Sequence, residues 1–155
     1  MSAEAKSKYT RAIELYEEAI GEGNRDPELF YRAAQASLKV GDLAGAERYY
    51  SRAIRYGGGV PVMRALAQLY LESGNYVLAI QEAEATLRRA PDDLAVVLLR
   101  ARALAANRQR TEAKAVLDAI EYPEGANPRR VEAVLLYLQI GAGDEAIALA
   151  EAVLA

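Results

Sequence analysis

The chain has 155 residues, of which 52% are hydrophobic and 26% charged, and 19 basic against 22 acidic side chains leave a net charge of -3. That balance lacks the basic face of a nucleic-acid binder. The absence of histidine and cysteine removes disulfides, thiolate metal sites, the commonest general base and the commonest metal ligand.

No apolar run approaches the roughly 18 residues of a membrane span, and the opening MSAEAKSKYT carries no apolar signal core. The expectation is a soluble protein of the cytoplasm or periplasm, without cofactor, metal or membrane insertion.

In chain order, apolar residues recur at helical spacing in a series of segments. Residues 3–21 form one helix with no partner before it. Paired helices follow at 28–40 with 42–56, 61–73 with 75–89, 94–107 with 109–121, and 128–140 with 143–155. Pro27, Pro61, Pro91 and Pro128 stand at helix entries, where proline is tolerated. Asp26, Asp92 and Asn127 are candidate caps. No strict alternation competes for a strand.

The segments repeat. Ala12, Ala46, Ala79, Ala113 and Ala146 recur at spacings of 34, 33, 34 and 33, each inside a similar string such as LAGAERYYSRAI or YVLAIQEAEATL. Gly41, Gly74 and Gly141 lie five residues before the matching alanine, and Arg108 takes that place in the remaining copy. Glycine suits such a helix end because it adopts a left-handed backbone without steric cost. One helix pair cannot bury its own apolar face, so copies stack, small alanines allowing close approach and larger residues such as Tyr50, Leu66, Leu117 and Tyr137 filling the spaces. The division expected is a leading half repeat at 1–24, then full repeats at 27–58, 60–91, 93–125 and 127–155, forming one domain over 1–155.

Period and residue placement together resemble the tetratricopeptide repeat (TPR). Ala46 with Tyr50, and Ala12 with Tyr16, match the second half of its pattern. Met63, Leu66, Ala67 and Tyr70 match the first half, and Pro91 closes that copy. Phe30, Ala33 and Ala34 serve the copy before, and Tyr137 supplies the tyrosine of the last. Departures fall in the later copies. No tryptophan is present, Ala83 and Ala150 replace a large aromatic, Arg100 stands where the family places a buried leucine, and Arg130 where it places an aromatic.

The resemblance implies an all-α fold, a right-handed superhelical solenoid of helix-turn-helix repeats. It implies a function too: a scaffold or adaptor holding a peptide or partner protein in a concave groove lined by the first helix of each pair. By register the groove receives Tyr31, Arg32, Gln35, Arg64 and Gln68 from the first two pairs, and Leu98, Leu99, Arg102, Leu135 and Leu138 from the last two. Its early half is then polar and partly basic and its late half apolar, with acidic or amide groups of the partner meeting Arg32, Arg64 and Arg102. The family's clamp for a carboxy-terminal carboxylate is absent, because the matching positions are Tyr31, Gln35, Ala65, Ala95 and Leu99.

Catalysis is not expected. Gly57-Gly58-Gly59 lacks the lysine and Ser/Thr of a phosphate loop and reads as a turn between repeats. Glu17 with Glu18, and Asp92 with Asp93, are neighbours that diverge on a helix, and the serines have no histidine to activate them. Two alternatives to the scaffold are a self-assembly module that oligomerises through its terminal helices, involving Leu149 and Leu154, and a sensor taking a small apolar ligand in the apolar half.

Overall fold

A computed structural model describes residues 2–124 and 127–154 of the chain, and those residues form nine α-helices and no strand. In order these are α1 (Ala3–Gly21), α2 (Pro27–Val40), α3 (Leu43–Arg55), α4 (Val60–Glu72), α5 (Tyr76–Leu87), α6 (Leu94–Ala106), α7 (Arg110–Asp118), α8 (Asn127–Ile140) and α9 (Gly143–Leu154). Every helix expected from periodicity is present. The limits expected at residues 1, 125 and 155 lie outside the described residues.

One turn is built four times. At the end of α2 the Gly41 amide donates to the Leu38 carbonyl and the Asp42 amide to the Ser37 carbonyl, the paired bonds of a Schellman closure. The same pair recurs at Gly74 and Asn75, at Arg108 and Gln109, and at Gly141 and Ala142. The closure needs a left-handed residue, and φ is 84° at Gly41, 79° at Gly74 and 83° at Gly141. Arg108 holds φ 65° in the same role, so the sequence equivalence of arginine with the three glycines is an equivalence of backbone.

Caps open the helices. Asp26 accepts from the Glu28 amide at 2.9 Å and Asp42 from the Gly45 amide at 2.8 Å. Asp93, not Asp92, caps α6 by accepting from the Val96 amide at 3.3 Å. Asn127 is the first residue of α8, and its side chain accepts from the Arg130 guanidinium at 3.0 Å. Helix α7 is shorter than periodicity suggests, ending at Asp118 rather than near 121. Pro123 disfavours helical backbone at Tyr122, and the chain turns out of the helix through a bond from the Ile120 amide to the Leu117 carbonyl.

The chain divides into two compact units, one running through Leu69 and the other from Tyr70. In the first, Phe30, Ala33 and Ala34 of α2 meet Ala46, Tyr49, Tyr50 and Ala53 of α3, all buried. The Phe30 ring stacks on Tyr56 at 5.1 Å, with the Arg52 guanidinium 4.8 Å above it. The Tyr49 hydroxyl donates to Glu17 of α1 at 2.6 Å, and burial raises its pKa.

The core of the second unit gathers Leu98, Ala101 and Leu104 of α6, Ala113 and Leu117 of α7, Ala133, Leu136 and Tyr137 of α8, and Ala146 of α9. A polar chain runs over it. The Tyr137 hydroxyl donates to Asp118 at 2.9 Å, and the Lys114 ammonium bridges Asp118 at 2.8 Å and Glu145 at 2.7 Å. Ala46, Ala79, Ala113 and Ala146 of the recurring alanines are buried, as close helix approach requires. A second buried series, Ala33, Ala67, Ala101 and Ala133, marks the first helix of each pair.

Candidate partner-binding surfaces

The ten residues expected to line the groove fall into two groups, one in each unit. In the first unit the half-buried Tyr31 ring leans on Tyr50 with centroids 5.8 Å apart. Gln35 donates its amide to the Tyr50 hydroxyl at 2.6 Å, which fixes both side chains. Arg32 is exposed and donates to Glu28 one turn earlier at 2.6 Å. Tyr31 and Arg32 form one wall of a cleft of about 400 Å³, whose other wall is Gly57, Gly58, Gly59 and Pro61. The triple glycine is therefore part of a surface feature as well as a turn. Further along α4, Arg64 is exposed and Gln68 half-buried.

In the second unit the expected apolar set separates. Leu135 is 62% exposed and Leu138 56%, and Val131, also exposed, joins them on α8. The three stand at i, i+4 and i+7, the spacing of one helix face. Leu98 and Leu99 do not belong to this surface, being 0% and 4% exposed. Helix α6 is apolar nearly all round, and a helix of that kind is covered on all sides. It packs against α5, α7 and α8, and Leu98 lies in the core with Leu117 and Leu136.

Charge flanks the α8 stripe. Arg102 of α6 and Arg129 of α8 both donate to Glu132, the latter at 3.0 Å. Two guanidinium groups on one carboxylate leave an excess positive charge beside the exposed leucines. Val131, Arg129 and Glu132 were not among the residues expected, although Val131 is legible in the sequence as the first member of an i, i+4, i+7 set.

Among the described residues no helix is long and apolar enough to cross a membrane. Nor, among them, do three or more Asp or Glu side chains gather as a metal site would need.

The same fold occurs in solved structures. MamA (AMB-1) is 20% identical with a TM-score of 0.73, covering 96% of this chain and 90% of its own. YrrB, described as a TPR protein with an unusual peptide-binding site, is 16% identical with a TM-score of 0.73, covering 95% of this chain and 77% of its own. TTC0263, a thermophilic TPR protein of Thermus thermophilus, is 24% identical with a TM-score of 0.68, covering 96% of this chain and 82% of its own. No curated protein matches the chain by sequence. The family model for the tetratricopeptide repeat matches twice in tandem, at residues 3–70 and 70–135, and the chain belongs to that family.

Proposed function

We propose that the chain is a protein–protein interaction scaffold that binds a peptide or partner protein and performs no catalysis. In this reading it consists of a leading half repeat and four full repeats, and the exposed face of α8 is a principal contact surface. The observation that carries the reading is the stripe of Val131, Leu135 and Leu138, three large apolar side chains left exposed on one face of α8. Exposed apolar patches rimmed by polar groups mark interaction sites, and the arginines around Glu132 favour an acidic or amide-rich partner segment. The peptide-binding site of YrrB, on a similar fold, agrees with this use. Tyr31, Arg32, Gln35, Arg64 and Gln68 form a second, polar contact surface, with Tyr31 and Gln35, each held against Tyr50, as its rigid part.

Leu99 is too deeply packed to serve as a probe, so the test uses Leu135→Asp with Leu138→Asp. Peptides selected from a random library on the intact chain should combine apolar side chains at helical spacing with Asp or Glu. Their affinity should fall at least tenfold on the double variant, with helicity unchanged by circular dichroism. Equal binding by the two proteins would reject the α8 face.

A second reading, self-association through α9, rests on Ile147 and Leu154, which are exposed seven residues apart on one face. Leu149, expected on that surface, packs against the core of the second unit instead. Light scattering at high concentration should show a dimer or larger species that Ile147→Asp returns to monomer. A monomer throughout removes this reading.

A further inference from the structure

Among the described residues, two or more large aliphatic side chains stay exposed on one helix face only on α8 and α9. Leu15 of α1 and Leu43 of α3 are single, and Val77 and Leu78 of α5 are neighbours that point about 100° apart. On α8 the set is Val131, Leu135 and Leu138. On α9 Ile147 is 59% exposed and Leu154 87%. The exposed carboxylates Asp144 and Glu151 alternate with them along the helix. At 3.6 residues per turn all four fall within about 80° of its circumference.

The two faces carry opposite charge. Helix α9 contains no lysine or arginine. Glu145 is held by Lys114, but Asp144 and Glu151 carry their charge into solvent. Beside the α8 stripe, Arg102 and Arg129 share the one carboxylate of Glu132, which leaves a surplus of positive charge. Pairing α9 with α9 would set four exposed carboxylates together with no cation on either helix. Pairing α8 with α8 would bring two positive surpluses together. Pairing α8 with α9 covers aliphatic with aliphatic and sets carboxylates toward guanidinium groups, the complementarity that fixes partner and register.

We propose that the partner of the α8 stripe is α9 of a second copy of this chain. The proposal rests on the stripe being a contact surface, and it also supplies the surface that receives α9. The contact is heterologous, each copy offering one face and receiving on the other. One helix face on another is a small interface, so association depends on concentration.

The test uses the full chain in two variants, Leu135→Asp with Leu138→Asp in one and Ile147→Asp in the other. All three positions are exposed, so circular dichroism should be unchanged. At a concentration where the unaltered chain associates by light scattering, each variant alone should be monomeric. An equimolar mixture should form a one-to-one pair, because the first variant keeps its α9 and the second its α8 stripe. A synthetic peptide of residues 143–154 should bind the Ile147→Asp chain, and bind the α8 variant at least tenfold more weakly. Glu151→Arg in that peptide should weaken it severalfold at low salt and less at high salt. Self-association of the α8 variant would show α9 pairing with α9 and overturn the proposal. So would a mixture that stays monomeric, or a 143–154 peptide that binds both variants alike or neither. If library-selected peptides still require Leu135 and Leu138 while the 143–154 peptide does not bind, the stripe serves a different protein, and the second-copy assignment fails without the contact surface failing.

Discussion

A side chain with a β-carbon is strained in the left-handed region, and Arg108 at φ 65° is held there by bonds on either side of it. Its own amide donates to the Ala105 carbonyl, and the Gln109 amide to that of Leu104. Nothing about the arginine head is needed for this, since glycine makes the same closure at three equivalent turns. Arg108→Gly relieves the steric cost and adds back some unfolded-state entropy. The net should be a gain of about 0.5–1 kcal/mol, measured by urea unfolding, and a loss would show that the side chain itself supports the turn. Gly58 is the opposite case. A β-carbon there would sit 2.7 Å from the backbone oxygen of Ala53, which the Gly58 amide already contacts at 2.7 Å. Since backbone on both sides must shift, Gly58→Ala should cost about 1–3 kcal/mol, and a neutral effect in the same assay would mean the turn relaxes freely.

Helices α7, α8 and α9 are tied by the chain of Tyr137, Asp118, Lys114 and Glu145, and its charges set a pH window. Hydrogen bonding to Lys114 lowers the pKa of Asp118 and of Glu145, and bonding to those two carboxylates raises that of Lys114. A depressed carboxylate contributes stability above its unfolded pKa of about 4, lost as pH falls through the lower folded value. A raised lysine contributes below its unfolded pKa of about 10.4, lost as pH rises through the folded one. Burial, then the bond to Asp118, raises the pKa of Tyr137, and its ionisation removes stability on the same alkaline side. Asp118→Asn should therefore lower Tm most between these limits, with the two proteins converging as pH falls through the depressed folded value, and a Tm difference that does not change with pH would exclude the charge as its origin. The same elements show what was legible in the sequence. Helix identity was, because Ala113 and Ala146 recur in step and glycines punctuate the ends. Exposure was not, because Leu98 and Leu135 have the same chemistry and the same local helical setting. Only the neighbours distinguish them, α6 having α5, α7 and α8 around it while one face of α8 has none of its leucines covered.

Each compact unit carries its own core, around Phe30 and Tyr50 in one and around Leu98 and Leu117 in the other. Repeat proteins distribute stability as local terms between neighbours, so parts of the chain can open separately. Leu117 is the point at which to ask whether that holds here. It is 2% exposed and packed within the cluster that joins α6, α7, α8 and α9. Leu117→Ala removes three heavy atoms from a closely packed site and should cost about 2–5 kcal/mol there. In native-state hydrogen exchange, protection of the amides of α6 and α8 should fall by the factor that cost implies, while the amides of α2 and α3 keep theirs. An equal fall in both units would mean that the chain opens in one cooperative step. A fall confined to the second unit gives it a lower threshold for local opening, and makes the surface around Leu135 adjustable by mutations that touch neither partner nor stripe.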